Sequence, residues 1–277
     1  MRSPIAILLA ALLGVLIYVG NFAWWFDREV VDSQNFVDSA VVAIGREDSR
    51  EAMGRLIVDQ LVDRYPILIV VESNLVGMFS DLLAVPALGE VIGVVAIDVH
   101  ERITTGNQNA IVINLDDYRD VIMAPLISVA PRLADLIPED WFVSIEVLDD
   151  GALPDLSLYA RWISTARFVA FVGAAALTAL LLWIVKRRGI GVVLVGMVFM
   201  LAGFVSGLLV PGGRWLAMRD VDSRSIEVLV TNAYNEFARS LLLSAAVLVL
   251  IGLGLVAVGT ALWSSLEDDR STRTSAI

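Results

Sequence analysis

Residues 168–185 read FVAFVGAAALTALLLWIV and residues 190–210 read IGVVLVGMVFMLAGFVSGLLV, with only Lys186-Arg187-Arg188-Gly189 between them. Neither run carries a charged side chain. About 20 apolar residues in helical form cross the ~30 Å hydrocarbon core of a bilayer. Lipid offers no hydrogen-bond partner to a backbone N–H or C=O, so each run must satisfy its main chain internally, as a helix. Two such helices joined by so short a turn form an antiparallel hairpin across a membrane.

Two further runs have the same character, Ile5 to Phe26 and Leu241 to Trp263. The chain of 277 residues is 57% hydrophobic, against about 45–50% for a soluble domain. Its mean hydropathy is +0.76. The first run ends in Ala23-Trp24-Trp25-Phe26. A signal-peptidase site wants small residues at that point, whereas aromatic rings suit a membrane–water boundary, so the run is expected to remain as an anchor.

Charge is distributed unevenly. Of the formal net charge of −11, residues 27–165 contribute 24 acidic side chains and 9 arginines, 9 − 24 = −15. That balance excludes nucleic acid as a partner and disfavours docking on anionic lipid. Cysteine is absent, which excludes disulfides, thiol chemistry and thiolate-ligated metals.

Orientation follows from the basic residues, which concentrate in short cytoplasmic loops. With the N-terminus inside, Arg2, the triplet 186–188, Arg270 and Arg273 are cytoplasmic, while Arg214, Arg219 and Arg224 lie outside against the trend. The triplet decides by density. The expected layout has a cytoplasmic N-terminus and first span (1–26), an acidic extracytoplasmic domain (27–165) and two spans around a cytoplasmic basic turn (166–210, turn 186–189). An extracytoplasmic amphipathic helix (211–238), a fourth span (239–263) and a disordered cytoplasmic tail (264–277) complete it. Lipid bilayer, at the plasma membrane, is the implied solvent.

Within 27–165 the pattern is mostly helical. Asp32 and Ser33 can cap a helix with Phe36, Val37, Ala40, Val41 and Ile44 on one stripe, stopped by Gly45. A second helix is expected from Asp48-Ser49, with Glu51, Arg55, Asp59 and Asp63 as a solvated charge ladder, ended by Pro66. Leu75, Val76, Phe79, Leu82 and Leu83 form a third, and Ala87 to Thr104 a fourth, closed by Gly106. Acidic residues and His100 interrupt every window of spanning length in that region, so these helices are expected to pack on one another. Residues 110–115 and 141–147 are β-branched and bounded by turn residues, which predicts a small two-stranded sheet around a helix from Tyr118 to about Ala130. The fold class expected is thus a mainly α membrane protein: four transmembrane helices and a mostly helical extracytoplasmic domain containing a small two-stranded sheet.

Near the third span, Pro211-Gly212-Gly213 is expected to break the chain. Beyond it, Ile226, Leu229, Val230, Ala233 and Phe237 give one apolar face, expected to dock on the 27–165 domain. Gly203 and Gly207, with Gly196 on nearly the same face, and Ala245, Gly252 and Gly259 at sevenfold spacing, permit close backbone approach. Two uses stand open: packing within the four helices, or the seam of a homo-oligomer.

No catalytic, cofactor or metal site is assigned. His100, the single histidine, has no nucleophile partner identifiable by spacing and reads as an ordinary polar-face residue. Asp116-Asp117 and Asp149-Asp150-Gly151 lack the alternating oxygen ligands of a calcium loop and read as a helix cap and a turn. The spans offer only Asn21, Thr178, Ser206, Ser244 and Thr260 as polar groups, too few for proton-coupled transport.

The layout resembles uncharacterised actinobacterial integral membrane proteins with one anchor helix, a large helical extracytoplasmic loop and three further spans. The points of likeness are Asp32-Ser-Gln-Asn-Phe36, Val112 to Asp117, Lys186-Arg187-Arg188 and the helix from Ser223 to Arg239. A single lysine against 19 arginines fits a high-GC genome. The resemblance implies a bacterial plasma membrane and carries no activity. The function expected is binding or sensing at the envelope through the extracytoplasmic domain. The alternatives are a scaffold subunit of a transport or export complex and, more weakly, an extracytoplasmic hydrolase.

The topology has a direct test. A phosphatase reporter fused after residue 100 is expected to be active only when exported; activity confined to cytoplasmic reporters at that position would reverse the orientation.

Overall fold

The computed structural model describes residues 3–64, 66–106, 111–113, 127, 145–148, 156–185, 188–219, 221 and 223–274. Eight helices organise them: α1 (Ser3–Phe26), α2 (Ser33–Ile44), α3 (Glu47–Arg64), α4 (Glu72–Leu83), α5 (Pro86–Thr105), α6 (Ser157–Ile184), α7 (Arg188–Met218) and α8 (Arg224–Thr274). Four carry segments long and apolar enough to cross a membrane, within 4–31, 157–184, 189–218 and 224–264. The chain is a multi-pass membrane protein by this architecture. It divides into two compact units, one of residues 1–27, 161–213 and 238–277, the other of 28–160 and 214–237.

In the first unit the core is built from one face of each span. Ala10, Leu13 and Ile17 of α1 meet Leu181 of α6 and Val195, Val198 and Ala202 of α7, with Leu248 and Leu255 of α8 packed alongside. Leu8, Leu201 and Leu250 point outward and are more than half exposed, as lipid-facing side chains must be.

Helices in lipid gain nothing from hiding apolar surface from one another, so close approach and dispersion must hold them. Here α7 and α8 lie antiparallel with backbone against backbone. A Cβ on Gly196 would stand 2.7 Å from the carbonyl oxygen of Gly252, and one on Gly203 the same distance from that of Ala245. One on Gly259 would stand 2.8 Å from that of Gly189. Three pairs at sevenfold spacing, 189–259, 196–252 and 203–245, thus form a seam in which none of the five glycines has room for a Cβ. Gly207, the other half of the GxxxG, has nothing within 4 Å. The seam residues, unlike Gly207, pack within the chain.

The second unit starts where α1 passes into a π-turn, Asp27–Val31. Asp32 then caps α2 by accepting from the Asn35 N–H at 2.9 Å, and the Gly45 N–H closes it onto the Val41 carbonyl. α3 packs on α4 and α2 on α5. Val58 of α3, Leu75, Val76, Phe79 and Leu82 of α4, and Leu88 and Val91 of α5 form the core. Gly54 lets α3 close on α4: a Cβ there would stand 2.9 Å from the Val76 carbonyl oxygen. Gly106, at φ 77°, ends α5 in the left-handed conformation that glycine adopts without strain. From the charge ladder, Glu51 and Arg55 pair at 2.7 Å.

Three expectations are corrected. The first is the fold class with its two-stranded sheet: the architecture is all-helical. Segments of three and four residues, Ile111–Ile113 and Ile145–Leu148, do lie antiparallel, with Val112 opposite Glu146 and an irregular register at Ile111. So short a clasp, with no third strand among the described residues, is not a sheet layer. The expected helix from Tyr118 to about Ala130 lies, but for residue 127, outside the described residues. The second is Pro211-Gly212-Gly213, which does not break the chain; α7 continues through it to Met218. Proline forfeits one hydrogen bond, to the carbonyl four residues back, and a helix near lipid tolerates that better than an open turn. The third is the tail, which is helical as far as Thr274. Extending an existing helix needs no new nucleus.

The seam predicts an asymmetric response to substitution. Gly196→Leu or Gly252→Leu is expected to lower stability in detergent by about 3 kcal/mol or more, the upper range of overpacking, because backbone cannot step aside. Gly207→Leu, only a turn from Gly203, is expected to be nearly neutral in the same thermal unfolding assay.

Candidate functional site

The first four turns of α8 carry one apolar stripe and, beside it, polar residues four apart, Asn232 and Glu236. In the second unit these turns dock on α2 and α3, as the stripe predicts. Asn232 donates from Nδ2 to Ser49 Oγ at 2.8 Å, with Ser49 completely buried and Asn232 6% exposed. One turn on, Arg46 donates to Glu236 Oε2 at 2.6 Å. Phe237 then meets Phe36 with ring centroids 5.3 Å apart, and Phe36 meets His100 at 5.2 Å.

His100 is not a polar-face residue. It is buried on α5, and its Nε2 lies 3.0 Å from the carbonyl oxygen of Val31, the last residue of the π-turn. A carbonyl only accepts, so the ring donates through Nε2–H. Glu29 of the same turn is also buried, 3.8 Å from Arg28. The row π-turn, His100, Phe36, Phe237 therefore ties the residues that follow the first span to those that precede the fourth. Nearby, burial pushes the Tyr234 phenol above 10.0, while a hydrogen bond with the Arg214 main chain pulls the other way.

The polar groups of the membrane unit fall into two sets. Ser206, Ser244 and Thr260 donate back to their own helices, to the carbonyls of Ala202, Leu241 and Ala257 at 2.8–2.9 Å. Asn21 instead reaches across, donating to Ser206 Oγ at 3.4 Å. At the end of α1, Trp25 Nε1 donates to Ser240 Oγ at 3.0 Å, and Asp27 pairs with Arg167 of α6.

No cluster of three or more His, Asp or Glu side chains able to hold a metal occurs among the described residues. Asp116-Asp117 and Asp149-Asp150-Gly151 lie outside them. What the arrangement provides is a clasp: one buried neutral hydrogen bond, one ion pair and an aromatic row. Sequence reasoning found the docking stripe but not its partners, Ser49 and Arg46; the only signal was the polar pair 232 and 236 flanking an apolar face. No protein family, characterised protein or solved structure matches the chain.

The clasp predicts unequal costs. Asn232→Leu strands the buried Ser49 hydroxyl and is expected to cost about 1–3 kcal/mol. Glu236→Gln is expected to cost under about 1 kcal/mol, because the Arg46 side chain is 41% exposed. Thermal unfolding of both variants in detergent gives the comparison.

Proposed function

We propose that this chain is a plasma-membrane protein of the actinobacterial four-span type, with both termini in the cytoplasm and residues 27–165 and 211–238 outside. Its role is to bind or sense a partner at the envelope through that acidic domain. One observation carries the reading: α8 is a single helix of 51 residues that begins in the clasp with α2 and α3 and ends past the fourth span. At 1.5 Å per residue it is about 76 Å long. A partner that loosens or tightens the clasp acts on the helix that also carries the fourth span.

Tryptophan placement supports the span ends. Trp24, Trp25, Trp162 and Trp215 fall at the span ends expected outside, and Trp183 and Trp263 at those expected inside, beside the basic turn. Indoles collect at the two membrane interfaces. The acidic domain selects a partner with basic surface and repels anionic lipid headgroups.

The test is co-purification of the full-length chain in mild detergent after crosslinking from outside with a membrane-impermeant reagent. Recovery of an envelope partner through residues 28–160, reduced by Asn232→Leu, is the expected result. A stoichiometric channel or transporter subunit, held through the spans, would replace it with the scaffold reading. Crosslinks that form only when the reagent enters the cytoplasm would overturn it.

A further inference from the structure

Inside the membrane unit lies a cavity of about 610 Å³ to which all four spanning helices contribute. Its wall on α6 is made of small side chains, Ala174, Ala175 and Ala179, and its length from Phe171 to Leu182 is about 16 Å of helical rise. Almost everything facing it is hydrocarbon. The exceptions are Asn21 and Thr178.

Both keep unused hydrogen-bonding capacity. An amide offers two donors and an acceptor oxygen, and the one hydrogen bond Asn21 makes among the described residues is the long 3.4 Å donation to Ser206. Asn21 is 7% exposed and lines the cavity. Thr178 differs from Ser206, Ser244 and Thr260: among the described residues its hydroxyl has no partner. A buried amide with spare capacity beside an apolar cavity calls for a ligand that is hydrocarbon over most of its length and carries a polar atom at the level of Asn21.

We propose that the cavity is a binding site for a bilayer phospholipid, one ester-linked acyl chain lying along Ala174–Leu182 and its carbonyl or glycerol oxygen at Asn21. The depth is consistent. Asn21 stands about 8 Å inside the Phe26 end of α1, and Arg167 lies one helical turn from Phe171 toward the same boundary, at headgroup level. The chain fills the apolar space, and the ester supplies the acceptor and Asn21 the donor. Thr178, deeper along the groove, faces the hydrocarbon of the chain, in a site that a lipid reaches sideways from the bilayer. The volume falls within the range of ligand sites, about 300–1,000 Å³.

The test uses the full chain in vesicles of phosphatidylethanolamine and phosphatidylglycerol doped with a phosphatidylethanolamine carrying a diazirine in one acyl chain. After photolysis, label is expected in peptides 171–182 and 192–199 well above that in the lipid-facing stretch 5–12. Ala179→Phe, which fills the cavity, is expected to cut that label on the order of tenfold. Asn21→Val is expected to cut it about threefold, the worth of one hydrogen bond in a membrane. Asn21→Val keeps the test alive if Ala179→Phe does not fold. Labelling at the cavity equal to that of 5–12, or unchanged in Asn21→Val, overturns the site.

Discussion

A bilayer interior gives the main chain no partner but itself, and most of this structure follows from that constraint. Each apolar run must be helical from end to end. The constraint reaches beyond the hydrocarbon: α7 passes through Pro211, Gly212 and Gly213, residues that would end a helix in water. It also explains why the first span leads into the second unit through a π-turn and not an open loop, and why α8 begins in one unit and ends in the other as one element. Where a membrane helix already supplies the hydrogen-bonding template, continuing it is cheaper than stopping.

Helicity does not choose which faces meet. In water, apolar burial would decide, at about 25 cal/mol per Å²; between helices in lipid that term vanishes. The two units display both regimes. In the second, Val58, Phe79 and Leu82 are driven together by exclusion from water, and Gly54 merely permits a closer fit. In the first, the glycines are the interaction. Gly196 against Gly252 brings two backbones into contact, and dispersion over that strip, with the carbonyls facing Cα–H groups, replaces the hydrophobic driving force.

What was legible in the sequence divides along the same line. Features set by local chemistry could be read directly: the four spans by their lack of charge, the Asp32 cap, the Gly106 stop, the docking stripe on 226–237. Features set by pairing could not. Gly189 sits in the basic turn and reads as loop chemistry until its distance from Gly259 is known, although it completes the sevenfold series with Gly196 and Gly203. His100 looked like a polar-face residue because its partner is a main-chain carbonyl 69 positions earlier, which no side-chain pattern reveals. The proline and the tail misled for another reason: rules for breaking helices are learned in water, and here the competing states are worse. The extended segments 111–113 and 145–148 have the right residue types, but β-propensity cannot say whether a pair of strands becomes a layer.

Two asparagines make the dependence on packing concrete. Asn232 and Ser49 come together at 2.8 Å, Asn21 and Ser206 only at 3.4 Å, although both pairs are buried amide-to-hydroxyl contacts. The difference lies in what holds the partner. Ser206 sits three residues beyond Gly203, whose seam with Ala245 fixes α7 against α8, and its own hydroxyl already donates to Ala202. Nor can α1 move in to shorten the bond. A Cβ on Gly14 would already be 3.5 Å from Val198 of α7, and one on Gly20 3.3 Å from Ala170 of α6. The helices are already in contact at Gly14 and Gly20, so the amide is held at the long end of hydrogen-bond range by the close approach that stabilises the bundle. The tight α7–α8 seam and the unspent polarity beside α6 are thus two consequences of one arrangement of small residues.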